Sequence, residues 1–186
     1  ITTGTCAVNC RYCFRRHFPY GEENASRGDF EPALEVLRAD ATVCEVILSG
    51  GDPLTLGDRR LAALLEGLES IPHLRRVRLH TRLPIVLPER IDAGFTAVWS
   101  GVRLQRVAVV HANHAAEIDA PVRDALARLK GTGTTLLNQS VLLRGVNDRA
   151  DDLVALSEAL FEAGALPYYL HLLDPVAGAA HFDVPE

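Results

Sequence analysis

A chain of 186 residues, 48% apolar and carrying six Phe, four Tyr and one Trp, is long enough to bury one sizeable core, so a single domain is expected. Its net charge of −5, with both signs interspersed, gives no broad basic face, which argues against a nucleic-acid partner. No apolar run approaches the roughly 18 to 20 residues of a membrane-spanning helix and no basic-then-apolar leader opens the chain, so neither membrane nor secretion is expected.

In chain order, the first element is a strand stub, "ITTGT" at residues 1–5. Five strand-like runs follow, with starts 28 to 31 residues apart from one another: "CEVILSG" from Cys44, "RRVRLHT" from Arg75, "RVAVVHA" from Arg106, "TTLLNQSVLL" from Thr134 and "ALPYYLHLL" from Ala165. Between them the apolar spacing is helical, as in Leu61, Leu64, Leu65 and Leu68, in Ile118, Val122, Leu126 and Leu129, and in Leu153, Leu156 and Leu160. One helix per gap is expected. Asp58, Asp151 and Asp152 stand where caps belong, and Gly131 and Gly164 where helices stop.

Alternating strands and helices, with near-continuous apolar strands, imply parallel pairing through right-handed crossovers. An eight-unit barrel uses about 31 residues per unit, which leaves room here for six. The expected α/β fold is an incomplete (β/α)6 TIM-type barrel over residues 1–186. A flavodoxin-like open sheet has similar repeats and is the competing layout. Both put chemistry at strand C-termini, where polar residues do gather: Cys6, then Gly50, Gly51 and Asp52, then His80 and Arg82, His111 and Asn113, Asn138 and Gln139, and His171 and Asp174.

Three of the four cysteines, Cys6, Cys10 and Cys13, lie within eight residues. Such crowding fits a metal site in a reducing compartment, hence the cytoplasm, better than a disulfide framework. Structural zinc takes four protein ligands, and His17 or the remote Cys44 would have to complete the set. Cys44 opens an apolar strand and is expected in the core. A four-iron cluster held by three cysteines would keep one iron open for a small molecule.

Cys6, Cys10 and Cys13, with Tyr12 just before the last, resemble the cluster loop of the radical S-adenosylmethionine enzymes, and "SGGDPL" from Ser49 resembles their glycine-rich segment. The longer stretches "CRYCFRRHFPY", "HTRLPIVLPERI", "HANHAAEID", "TLLNQSVLLRGVND" and "PYYLHLLDPVAGAAHF" resemble the lysine 2,3-aminomutases. Within these, "FRRHFPY" is similar to the bacterial branch that makes β-lysine for modification of elongation factor P.

The resemblance implies a [4Fe–4S] cluster on Cys6, Cys10 and Cys13 whose open iron chelates S-adenosyl-L-methionine, and reductive cleavage to a 5′-deoxyadenosyl radical shielded from water. It implies that Gly50, Gly51 and Asp52 approach the methionyl end, with the Asp52 carboxylate accepting from its ammonium, that Tyr12 lies near adenine, and that His111 and Gln139 hydrogen-bond the cofactor. Adjacent strand residues face opposite sides, so Gln139 rather than Asn138 is taken to point inward. Arg15 corresponds to a clamp for the substrate carboxylate and Asp174 to the partner of the lysine ε-ammonium, with Arg16 a solvated neighbour. Lysine as substrate, a reductant such as flavodoxin or ferredoxin, and elongation factor P with its ligase are the implied partners.

The family also uses pyridoxal 5′-phosphate on a lysine. The only lysine here, Lys130, falls at the end of a helix and is expected on the surface. The resemblance places the pyridoxal lysine beyond Glu186, so the chain is expected to be the catalytic core of a longer protein, able to bind cluster and S-adenosylmethionine but weak as an aminomutase. The alternatives are a catabolic aminomutase on free lysine and a non-catalytic Cys3His zinc module.

Overall fold

The structure is a computed structural model that describes residues 1–20 and 30–185. Five parallel strands form one sheet: β1 (Glu45–Leu48), β2 (Arg76–Thr81), β3 (Gln105–His111), β4 (Thr135–Val141) and β5 (Leu166–His171). Their spatial order is the chain order. A flavodoxin-like sheet exchanges its first two strands, so the sequential order excludes that layout and leaves the open, barrel-type wall. The stub at residues 1–5 runs parallel beside the end of β1, where Thr3 bridges Gly50 and the Thr2 amide donates to the Ser49 carbonyl at 2.7 Å. It makes a single bridge, in keeping with a strand stub.

Helices cover one face of the sheet. They are α1 (Glu31–Ala39), α2 (Asp58–Glu69), α3 (Leu83–Val86), α4 (Ala93–Ser100), α5 (Ala120–Gly131) and α6 (Ala150–Glu162). The gap between β2 and β3 holds two short helices, not one, because Pro84 starts a turn that Pro88 forces to restart. Asp58, Asp151 and Asp152 are not caps: Gly57 and Arg149 hold those positions, and the three carboxylates sit in first turns, where they still favour the helix dipole. Gly164 ends α6 with φ +80°, whereas Gly131 is the last residue of α5 and the left-handed position falls to Gly133.

Period-two burial in β2 and β4 separates two environments. Val77, Leu79, Ala108, Val110 and Leu136 meet Leu61, Leu65, Leu68, Phe95, Trp99, Leu126, Leu129 and Leu160 in one continuous core. Trp99 is fully buried and donates from its indole nitrogen to Thr134 Oγ1 at 2.7 Å. Cys44 is exposed rather than in this core, since it precedes β1 at the edge of the paired region. The opposite face carries Arg78, His80, His111 and Gln139, and every residue of β5 is exposed along the open edge.

Candidate active site at the strand C-termini

Consecutive tight turns build the cysteine loop: the Cys13 amide donates to the Cys10 carbonyl and the Arg16 amide to the Cys13 carbonyl, each at 3.1 Å. The loop is pinned from several directions. Tyr20 donates its hydroxyl to the Gly50 carbonyl at 3.0 Å, and Arg11 pairs with His181 at 3.1 Å. All three cysteines are free thiols. Burial pushes the Cys6 thiol pKa up, and Asp52, Cys13 and Cys10 add to that through repulsion of a neighbouring negative charge.

Gly50 and Gly51 owe their identity to the stub. Gly50 has φ +135°, and a Cβ there would lie 2.6 Å from the Thr3 carbonyl oxygen; one on Gly51 would lie 2.6 Å from the Thr5 carbonyl carbon. The close approach that glycine permits includes one to residues 3–5. Asp52 also has a structural task. Its Oδ1 accepts from Leu54 N at 3.0 Å and Thr81 Oγ1 at 2.7 Å, and its Oδ2 from Arg82 N at 2.7 Å and Leu83 N at 3.2 Å. With four internal donors, the carboxylate ties the glycine turn to the end of β2.

The inner face of the wall is different, because polar atoms there lack partners. Arg15 Nη1, His80 Nε2 and His111 Nε2 are buried and make no hydrogen bond. The two imidazoles meet edge to face, with centroids 6.0 Å apart. Burial is the largest cause that lowers both pKa values; Arg78 and Arg15 lower His80 further, to about 4, and His80 and Arg82 lower His111 further, to about 3. Both rings are neutral at pH 7. Gln139 pairs in register with His111 and shares its side, while Asn138 turns to the helix side, where its amide bonds the Ala112 backbone at 2.9 and 3.1 Å. Arg15 stacks over Phe14 and Phe18, which hold its guanidinium in place.

A second network lies on the other side of the loop. Tyr12 presents its phenolic oxygen to Arg82 Nη1 and to Asn113 Nδ2, the latter at 2.6 Å. Arg82 Nη2 donates to Glu117 Oε2 at 2.8 Å, and Glu117 Oε1 accepts from the amides of Asn113 and His114. Asn147 is fully buried and fastens Asn113 to the loop after β4. Tyr12, Arg82, Asn113 and Glu117 border a cavity of about 400 Å³ lined also by Val8, Leu143, Val146 and Phe182. Sequence reading named Arg82 and Asn113 as strand-end residues without tasks and missed Glu117 and Asn147; the spacing of His114 and Glu117, a capping box on the turn Ala115–Glu117, was the available signal.

Asp174 is exposed beyond β5, in the wall of a second cavity of about 450 Å³ with Leu173, Val176 and Asp183. Its segment is drawn toward the cysteine loop by Arg16, exposed as expected, which reaches the Ala177 carbonyl at 3.3 Å.

The donor set fits an iron–sulfur cluster. Among the described residues no three His, Cys, Asp or Glu side chains close on a single ion, and His17 is exposed. Three thiols on one loop, with no fourth protein ligand beside them among the described residues, are the donor set of a four-iron cluster with one open iron. The unpartnered nitrogens of Arg15, His80 and His111 suit a polar ligand bound beside it. Pyridoxal phosphate does not fit the residues present: its resting imine needs a lysine, and Lys130 is exposed on α5 with its ammonium packed against Gly164.

A family model described as the radical SAM superfamily matches residues 1–156. Over 186 residues the chain is 53% identical to the L-lysine 2,3-aminomutase of Escherichia coli (strain K12), covering 100% of this chain and 54% of that protein. For the Haemophilus influenzae protein of the same name the identity is 55%, covering 100% and 55%. The Clostridium subterminale L-lysine 2,3-aminomutase is 34% identical over 193 residues, covering 100% and 44%. The chain thus spans about half the length of these relatives. A solved structure of native anSMEcpe with bound AdoMet aligns with a TM-score of 0.65 at 16% identity, over 94% of this chain and 50% of that one, which shows a shared fold.

Proposed function

We propose that this chain, which belongs to the radical SAM superfamily, is the catalytic core of a lysine 2,3-aminomutase that converts L-lysine to β-lysine. The observation that carries the reading is the cysteine loop set against an inner wall where Arg15, His80 and His111 hold buried, unpartnered nitrogens. The identity above 50% to two proteins named L-lysine 2,3-aminomutase supports lysine as the substrate. Bound to Cys6, Cys10 and Cys13, a [4Fe–4S] cluster with S-adenosylmethionine supplies the 5′-deoxyadenosyl radical.

The chain's own residues bind and orient. Arg15 offers a planar fork to the substrate carboxylate. Neutral His111 and His80 can each accept or donate one hydrogen bond, and Gln139 can do both, so the cofactor is held without adding charge. Tyr12 forms one wall of the 400 Å³ cavity, which accepts the adenine end. Asp174 receives the ε-ammonium from the loop after β5. The Gly50–Gly51 turn and Asp52 fix where the loop sits and stand at the methionyl end of the cofactor. We place the product in β-lysylation of elongation factor P, in the cytoplasm with a flavodoxin- or ferredoxin-type reductant, on the "FRRHFPY" segment.

Anaerobic reconstitution with iron and sulfide, followed by assay with S-adenosylmethionine and lysine, tests the reading. The expected result is a brown protein with lysine-dependent release of 5′-deoxyadenosine and little β-lysine. A colourless zinc protein would overturn it, and full turnover with tightly bound pyridoxal phosphate would overturn the argument from Lys130. Assaying free lysine and elongation factor P together, with its ligase, separates the protein-modifying role from a catabolic one.

A further inference from the structure

Arg82 borders the 400 Å³ cavity and also reaches past it to a cysteine sulfur, a contact that lining the cavity does not require. It leaves the end of β2 with its amide fixed by Asp52 Oδ2 at 2.7 Å, and its side chain crosses to the cysteine loop. There Nη1 contacts the Tyr12 hydroxyl and lies 3.5 Å from Cys10 Sγ, within reach of an N–H···S hydrogen bond. Its Nη2 donates to Glu117 Oε2 at 2.8 Å. The guanidinium is only 18% exposed and Glu117 25%, so the pair is poorly screened by solvent. Cys6 and Cys13 have no such cation donating to their sulfurs among the described residues.

We propose that Arg82 sets the reduction potential of the cluster through Cys10, with Glu117 as the counter-charge that limits its effect. The inference rests on the reading of Cys6, Cys10 and Cys13 as cluster ligands. Adding one electron to the cluster adds one negative charge spread over iron and sulfur. A cationic N–H donor at one thiolate stabilises that charge and raises the potential, and hydrogen bonds to cluster sulfurs are an established lever on it. Glu117 works against Arg82 in this respect, and its second oxygen is already committed to the amides of Asn113 and His114. Removing the cation and neutralising the carboxylate should therefore move the potential in opposite directions. A contact that served only to hold Tyr12 in place would move neither.

The test is a mediated redox titration with dithionite, followed by the electron paramagnetic resonance signal of the reduced cluster, on the anaerobically reconstituted chain and its Arg82→Gln, Arg82→Lys and Glu117→Gln variants. Iron and sulfide content normalises each. Arg82→Gln should shift the midpoint to more negative potential, Arg82→Lys should keep it near the parent value, and Glu117→Gln should shift it to more positive potential. Should Arg82→Gln lose the cluster altogether, Glu117→Gln still decides, because an unmoved midpoint there contradicts the proposal. Equal midpoints across all variants with full cluster content would overturn the role of Arg82 and leave the cluster reading intact. Failure of the parent chain to form any cluster would overturn the reading beneath it as well, and the two failures are distinguishable by the iron analysis.

Discussion

Asp52 and Thr81 are joined by a buried hydrogen bond of 2.7 Å that links the turn after β1 to the last residue of β2. The same carboxylate takes three backbone amides, so one side chain fixes two strand ends and, through Arg82, the arm that reaches Cys10. Asp52→Asn places an NH2 group against donors and should destabilise the chain by about 2–4 kcal/mol, while Thr81→Val, which leaves the carboxylate three partners, should lose about 1–2 kcal/mol. Denaturant unfolding followed by the fluorescence of Trp99 reads both. Loss of stability near zero for Asp52→Asn would overturn this structural task of Asp52.

Gly51 makes a sharper mechanical case. A Cβ there would strike the Thr5 backbone, which lies directly before Cys6 and cannot swing away as a side chain would. Gly51→Ala should lower iron incorporation after reconstitution more than it lowers helix content by circular dichroism, because the displaced segment carries a cluster ligand. Gly57→Ala, where a Cβ would meet nothing within 4 Å, is the control and should leave both unchanged.

Much of this was legible in the chain. Strand spacing fixed a parallel α/β wall because each run of Val, Leu and Ile is bounded by a helical repeat of about the same length, and Leu61 to Leu68 kept its buried stripe in α2. What failed was local. Cys44 looks apolar in sequence, but burial depends on whether another layer covers the residue before β1, and Cys44 is exposed there. Asp52 also serves four internal donors 2 to 31 residues away in sequence, a structural task that the pattern does not reveal because it does not show which amides will arrive. Glu117 and Asn147 were missed for the same reason, since their value lies in bonds to residues on other loops.

The inner-wall histidines predict an acid response. In the unfolded chain both titrate near pH 6.5, whereas in the fold His80 is lowered to about 4 and His111 to about 3. Between those values the unfolded state binds more protons than the folded one, so stability is intact above pH 6.5 and falls as pH drops toward 4. The loss is up to about 1.4 kcal/mol per pH unit for His111 and less for the more solvated His80. Asp52, raised by burial, opposes this near the bottom of the range. Replacing His111 by Gln should flatten the profile of unfolding midpoint against pH between 6.5 and 4; an unchanged slope would mean that the ring is protonated in the fold.

Arg15 predicts opposite effects on stability and on binding. Its Nη1 is buried with no acceptor, a situation that disfavours the fold unless a ligand arrives, and Phe14 and Phe18 hold the guanidinium there rather than an acid. Arg15→Gln should therefore leave thermal stability equal or slightly higher in the unliganded chain. The same substitution removes a charge-assisted, two-pronged contact with a carboxylate, an interaction of about 1.5–3 kcal/mol, so lysine binding to the reconstituted protein should weaken by roughly 10- to 100-fold. Arg15→Lys restores the charge but not the fork and should recover only part of the loss. Titration calorimetry with lysine and scanning calorimetry on the same preparations give the two numbers. If binding and stability fall together, the side chain holds the cysteine loop and the substrate carboxylate must be sought elsewhere.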